Sequence, residues 1–361
     1  MKVNRFFDEI QGNFGFGCMR LPMKDEKVDY DAFIRMAHAF IDAGFNYFDT
    51  AHGYINGQSE TAIRDCIAKR YDRSRFLLTD KLTDPYFKKQ EDIRPFFEQQ
   101  LAWCGVDYFD FYLMHAQDKN IYRKFTKCNA YETALELKKE GKIRHFGISF
   151  HDKADVLDMI LTEHPEIEIV QIQFNYVDYE DASVESRKVY EVCEKHNKPV
   201  IVMEPVKGGS LVNLPQEALD KLTTGSPASY ALRFVAGFEG MRMILSGMSN
   251  LEQMEDNLSF MASPVPLTEQ EQEAICQVRT IYQSSHKIPC TACRYCTERC
   301  PMEIPIPELF AQVNEFRAKG TAVDHALVEK SGDCVKCGAC AACCPQHLEI
   351  PTLLESIRKE F

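Results

Sequence analysis

Two residue patterns in this 361-residue sequence could do chemistry. One is cysteine at fixed spacing: Cys290-x2-Cys293-x2-Cys296-x3-Cys300-Pro301, repeated as Cys334-x2-Cys337-x2-Cys340-x3-Cys344-Pro345. Nine of the fifteen cysteines fall between Cys290 and Phe361. Thiols this dense in a reducing compartment point to metal ligation over disulfides. Zinc held by four thiolates of CxxC knuckles is one reading, but two complete CxxCxxCxxxCP runs are more specific than CxxC pairs. The other pattern is a set of polar groups closing apolar runs: Asp49-x4-Tyr54 in "NYFDTAHGY", Lys81 in "LLTDKL" and His115 in "FDFYLMHA". Singly, each has an ordinary structural reading as a rim residue or a satisfied polar group.

The elements that must position these groups are legible as an alternation. Apolar runs lie at 14–19, 45–50, 76–81, 108–115, 145–149, 169–174, 200–204 and 243–248. Helix-period segments lie between them at 30–43, 59–70, 92–104, 130–140, 153–163, 185–196, 227–238 and 250–261. Ser226-Pro227 is a helix start, with a capping hydroxyl before a proline at the first helical position. Eight strand and helix alternations predict the α/β class and a (β/α)8 TIM barrel, whose strands are buried on both faces and read as continuous apolar runs. A doubly wound open sheet is the competing pattern. "SPVPLTEQEQ" (263–272) starts a last helix, capped by a Thr and running to about Ser284, and "HKIPC" opens a different composition. The expected division is a barrel over 1–284 and a small, largely helical metal domain over 285–361.

Composition narrows the function. A net charge of -12 without a basic stripe argues against nucleic acid as a partner. No run of 18 apolar residues exists, and "MKVNRFFDEI" lacks the apolar core of a signal peptide, so the expectation is a cytoplasmic protein with no membrane partner.

The cysteine runs resemble those of the bacterial two-cluster ferredoxins. That resemblance implies two 4Fe-4S clusters, in which three close cysteines hold three corners of a cube and the fourth crosses to the other cube. Cys290, Cys293, Cys296 and Cys344 would hold one cluster; Cys334, Cys337, Cys340 and Cys300 would hold the other, with Cys343 a bystander. The 33 residues between Cys300 and Cys334, with helix-like 307–320, suggest a helix-rich variant fused to a larger redox enzyme.

Residues 14 to 262 closely resemble the aldo/keto reductases, on the order Asp49, Tyr54, Lys81, His115 and on "GVDYFDFYLMH", "GKIRHFGIS" and "SGMSNLEQMEDNL". The resemblance implies reduction of a small carbonyl, or oxidation of an alcohol, by NADP(H) or NAD(H). A carbonyl taking a hydride becomes an alkoxide that needs a proton donor and fixed hydrogen bonds. Tyr54 would be the donor, Lys81 would favour its phenolate, Asp49 would hold the ammonium, and His115 would orient the carbonyl oxygen.

The family's cofactor contacts carry over to Ser149 and Gln171 at the nicotinamide amide. Lys207 and Gly208, with Gly209, would cover the pyrophosphate. Ser249, Gln253 and Asn257 would touch the adenosine end, and Met19 and Arg20 would lie near the cofactor at the end of the first strand. Phe150 stands where the family usually has Asn, and Met203 where it has a stacking aromatic. Gly247 and Gln253 replace the Lys and Arg that other branches use for the 2'-phosphate. These leave only a mild preference for NADPH over NADH, and the altered platform at Phe150 and Met203 leaves room for a flavin.

One- and two-electron traffic then frames the choice of function. A hydride carries two electrons and a 4Fe-4S centre passes one, so a flavin or radical step would normally join them. The leading expectation is an aldo/keto reductase with electron-transferring clusters. Its alternatives are an iron-sulfur electron-transfer protein working with a flavin or a partner ferredoxin, and a regulatory or binding barrel with structural or sensory clusters.

Overall fold

The structure, a computed structural model, describes residues 7–285 and 287–361. Six residues of the N-terminal stretch read above, and His286 of "HKIPC", lie outside them. The chain forms two compact units. One comprises Met1–Glu180, Glu185–Pro205 and Ala228–Leu267; the other comprises Asp181–Val184, Val206–Pro227 and Thr268–Phe361.

The first unit is the expected (β/α)8 barrel. Its strands are β1 (Phe14–Gly17), β4 (Tyr47–Asp49), β5 (Leu77–Leu82), β6 (Phe109–Gln117), β7 (Ile143–Phe150), β8 (Ile169–Gln173), β9 (Val200–Met203) and β10 (Met241–Ser246). They close in the order β1-β10-β9-β8-β7-β6-β5-β4, every pair parallel, so the open sheet is excluded. Two further short strands, β2 (Met23–Lys24) and β3 (Lys27–Val28), make an antiparallel hairpin after β1.

Alternation along each strand divides the side chains between two environments. Tyr47, Leu77, Phe111, Leu113, Ile169, Ile201, Met243 and Leu245 pack together as one core, with Ile10 against them. Arg242 donates to the carbonyls of Gly12, Phe7 and Ile10, tying the N-terminal segment to β10. Gly15 and Gly147 are fixed by this packing, since a Cβ on either would meet neighbouring side chains at 2.6–2.8 Å.

Helix boundaries follow the sequence cues closely: Tyr30–Asp42 caps on Asp29, Pro227–Ala236 starts at the proline, and Leu251–Met261 caps on Asn250. The segment expected as one helix over 59–70 is a helix at Gln58–Ile63 followed by a π-helical stretch at Arg64–Ala68.

The second unit packs Glu269–Ser284, Ile306–Lys319, His325–Ser331 and Ile350–Glu360 with short helical turns at the cysteine runs. Thr268 caps the first of these helices in a capping box with Glu271. The compact units divide the chain at Thr268, and the second also takes in 206–227. The reason is local: Tyr282 donates to Ser210, and Thr224 donates to Glu271. A core of Ile304, Ile306, Leu309, Phe310, Val313, Ile350, Leu354 and Ile357 includes Cys296 and Cys340.

Candidate active site and the two cysteine cavities

The barrel's reactive groups meet because parallel neighbours end at matched heights. β4 and β5 pair Asp49 with Thr79, so Lys81, two residues further along β5, extends beyond the end of β4. Its ammonium has three protons and donates to three oxygens: Asp49 Oδ1 at 2.7 Å, Thr50 O at 2.8 Å and Tyr54 Oη at 3.3 Å. Lys81 is fully buried, and Asp49 and Tyr54 are buried beside it. The Tyr54 ring lies 4.9 Å from the ammonium and 6.1 Å from the His115 ring, edge-on.

Burial pushes the Asp49 carboxyl up from its ordinary value; the Lys81 charge and hydrogen bonds from Lys81 and Gln171 oppose it. Burial, the Lys81 charge and His151 push the His115 imidazole well below its usual value, so it is neutral near pH 7. Its Nδ1 lies 2.8 Å from the Oγ1 of Thr83, the residue just after the neighbouring strand β5, a partner that the sequence reading missed. The arrangement is a phenol hydrogen-bonded to a permanently buried cation, with a neutral imidazole adjacent. That combination can give and recover a proton at a reacting oxygen.

A further buried group lies behind Lys81. Glu60, Asp80 and Cys104 bring ligand-type atoms within 4.8 Å of one another. Asp80 accepts from Lys81 N at 2.7 Å, and Gln100 donates to Lys81 O at 3.1 Å and to Glu60 at 3.2 Å. His52 Nδ1 lies 2.6 Å from Glu60 and stacks on Trp103. Burial pushes Glu60 up to about 7 and Asp80 well above its ordinary value. Asp80 neighbours Lys81 on β5 and so points to the opposite face of the strand.

The residues expected at a cofactor divide into three groups. Ser149 and Gln171 pair across β7 and β8; Ser149 Oγ accepts from Ala116 N, and the Gln171 amide donates to Asp49 at 3.3 Å. Arg20, Ser249 and Gln253 come together at the ends of β1 and β10: Ser249 Oγ donates to Arg20 O, and Gln253 Oε1 accepts from Ser249 N. Met19 adjoins them, its sulfur 3.7 Å from the Arg20 guanidinium, and Asn257 is buried against Ser246. Glu204, after β9, lies 3.8 Å from Arg20 and keeps Oε2 buried without a hydrogen bond among the described residues.

Lys207 and Gly208 belong to the second unit. Lys207 is buried and donates to Gln346 at 2.7 Å, and a Cβ on Gly208 would meet Thr291 at 2.7 Å. The glycine does permit close approach, with a positive φ of 62°, but what approaches is the cysteine loop.

In that unit the cysteines gather around two cavities, crossed between the runs. Cys290, Cys293, Cys296 and Cys344 line one. Cys334, Cys337, Cys340 and Cys300 line another. Cys343 lines neither and donates to Cys340 O.

A closed parallel barrel with a buried polar set at its C-terminal strand ends is the architecture in which barrel enzymes assemble their active sites. The chain belongs to the aldo/keto reductase family, whose profile matches residues 13–280, and residues 289–348 match a 4Fe-4S dicluster domain. Among relatives, an uncharacterized oxidoreductase of Schizosaccharomyces pombe is 25% identical over 270 residues, covering 70% of this chain and 82% of its own. The NADH-specific methylglyoxal reductase of Escherichia coli is 27% identical over 186 residues, covering 46% and 54%. Aldo-keto reductase AKR11C1 from Bacillus halodurans shares the fold with a TM-score of 0.60 at 22% identity, covering 74% of this chain and 91% of that one. So does a Klebsiella pneumoniae aldo-keto reductase in complex with NADPH, with a TM-score of 0.59 at 20% identity, covering 75% and 90%.

Proposed function

We propose that the barrel reduces a small carbonyl compound, or oxidises the corresponding alcohol, with a nicotinamide dinucleotide. The observation that carries this reading is the buried Lys81 ammonium shared by Asp49 and Tyr54. When bound, a reduced nicotinamide supplies the hydride. Tyr54 gives its phenolic proton to the carbonyl oxygen as negative charge develops there. Lys81 stabilises the phenolate left behind, and Asp49 keeps the ammonium charged and aimed. Neutral His115 orients the oxygen by a hydrogen bond, and the buried walls exclude water.

The donor set suits a dinucleotide. Glu204 Oε2 is a buried acceptor in want of a donor, which a ribose hydroxyl or a carboxamide provides. Arg20, Ser249 and Gln253 form a polar group for the adenosine end, without favouring NADPH over NADH. The methylglyoxal reductase relative and the NADPH-bound Klebsiella structure are consistent with a small aldehyde and a nicotinamide.

The eight cysteines, four to each cavity, suit two 4Fe-4S clusters, which supply one-electron transfer when bound. Cys290, Cys293, Cys296 and Cys344 would hold the first, and Cys334, Cys337, Cys340 and Cys300 the second. Their electrons would pass to a partner ferredoxin or similar protein, or to the barrel through a flavin. Thiolate clusters of this kind suit the reducing cytoplasm.

The test is reduction of an aldehyde such as methylglyoxal by NADPH and by NADH with anaerobically purified protein. Tyr54→Phe should lower kcat by about 10²–10⁴; unchanged turnover would refute the assigned proton donor. About eight irons per chain are expected from two four-iron clusters, and protein carrying two zincs instead would refute the cluster reading.

A further inference from the structure

The two cysteine cavities differ in their charged surroundings. Among the described residues that line the second cavity none is charged: its walls are cysteines with Met302, Ile304, Val335, Leu354 and small residues. Lys336, between Cys334 and Cys337 in sequence, is 65% exposed and paired with Glu355 at 2.6 Å. The first cavity includes Gln346, which accepts from the ammonium of Lys207 at 2.7 Å, and Lys207 is only 3% exposed. Gly208 seats the next turn of that loop against Thr291, which also lines the first cavity. The loop is therefore anchored to the cavity at two points. Arg294 lines the same cavity, but it is 61% exposed and paired with Glu308, so water and that carboxylate screen it. Asp181 lies within the field of Lys207 and is bound by Ser183.

A cluster gains one electron on reduction and becomes one charge more negative, with no bond made or broken. A cation held close by in a poorly solvated site favours that state, and cluster potential responds to nearby charge. Exposed charges act far less, because solvent screens them.

We infer that Lys207 is a redox-positioning residue of the first cluster: its buried ammonium raises that cluster's reduction potential above the second's, so the two centres are inequivalent electron carriers. This rests on the two-cluster reading above. It makes the first cluster the resting place of a single electron and the second the harder one to reduce. It also gives the loop after β9 a role in the iron-sulfur unit in place of nucleotide binding.

Anaerobic holoprotein is titrated with dithionite in the presence of redox mediators, followed by EPR, with iron counted in each sample. The intact protein should show two separate one-electron steps. Lys207→Gln should move the higher step down by at least about 59 mV, the one-electron equivalent of tenfold, and leave the lower step in place. Lys207→Arg should keep both, and Lys336→Gln should move neither. Gln346→Glu, which places a carboxylate against the ammonium, should lower the same step and serves if Lys207→Gln does not assemble. Full iron with unmoved steps, or equal movement of both steps, overturns the inference alone. An iron count well short of eight overturns the two-cluster reading and the inference with it.

Discussion

In the barrel, Lys81 reaches Asp49, Thr50 and Tyr54 from a strand whose six residues are all buried, and each ammonium proton already has an oxygen. In the second unit the reactive groups are cysteines on four-residue helical turns, Tyr295–Glu298 and Ala339–Ala342, led in by left-handed residues at Arg294 and Gly338. There the thiols face cavities and two of them are part of the core itself. The barrel fixes this polar group by packing and hydrogen bonding alone. If the cysteines hold the proposed clusters, a small unit with Cys296 and Cys340 in its core would draw rigidity from the metal, because binding free energy is then folding free energy.

The sharpest way to break this comparison is removal of iron by an anaerobic chelator. Hydrogen exchange should show protection between 290 and 344 falling by more than about 100-fold, roughly 2.7 kcal/mol by the tenfold rule, while β5 and β6 stay protected. An equal loss in both units would show that the barrel, too, depends on the clusters. Next in size is Lys81→Met, which leaves Asp49 buried without its cation. The barrel should lose about 3–5 kcal/mol in denaturant unfolding and kcat should fall by about 10²–10⁴, with iron per chain unchanged. Loss of iron in that variant would contradict the separate origins of the two sites.

The smallest expected effect concerns the acid pair behind Lys81. Glu60 titrates at about 7 in the folded protein against an ordinary value of 4.5. The folded state therefore keeps a proton that the unfolded state releases between those values. Its contribution to stability falls as pH rises from 4.5 to 7, by up to roughly 3 kcal/mol, and is level above that. Glu60→Gln should flatten this decline when denaturant midpoints at pH 5 and pH 8 are compared with those of the unmodified protein. An unaltered pH difference would show that Glu60 is ionised throughout.

Much of this was legible in order along the chain. The eight apolar runs marked all eight barrel strands because parallel strands buried on both faces leave no polar alternation. Asp49, Tyr54, Lys81 and His115 stood at strand ends, where loop chemistry collects. The glycine pair after β9 was legible as a place of close approach, but not the identity of what approaches. Lys207 and Gly208 read as a pyrophosphate cover, yet they sit on Gln346 and Thr291, more than 80 residues later in the chain. The Glu60, Asp80 and Gln100 network was equally hidden, since each member looks like an ordinary polar residue until β5 and the helices Gln58–Ile63 and Gln90–Cys104 pack together.

The sequence by itself determined the local matters: which segments become strands and helices, where they start, and which cysteines recur at ligand spacing. These follow from periodicity, capping and spacing, all readable within a few residues. Only the tertiary structure decided which distant groups share a partner. It brought Lys207 to the first cysteine cavity and Gln100 to Glu60. Those pairings depend on how buried polar groups are satisfied across the whole fold, a condition that no short stretch of sequence can express.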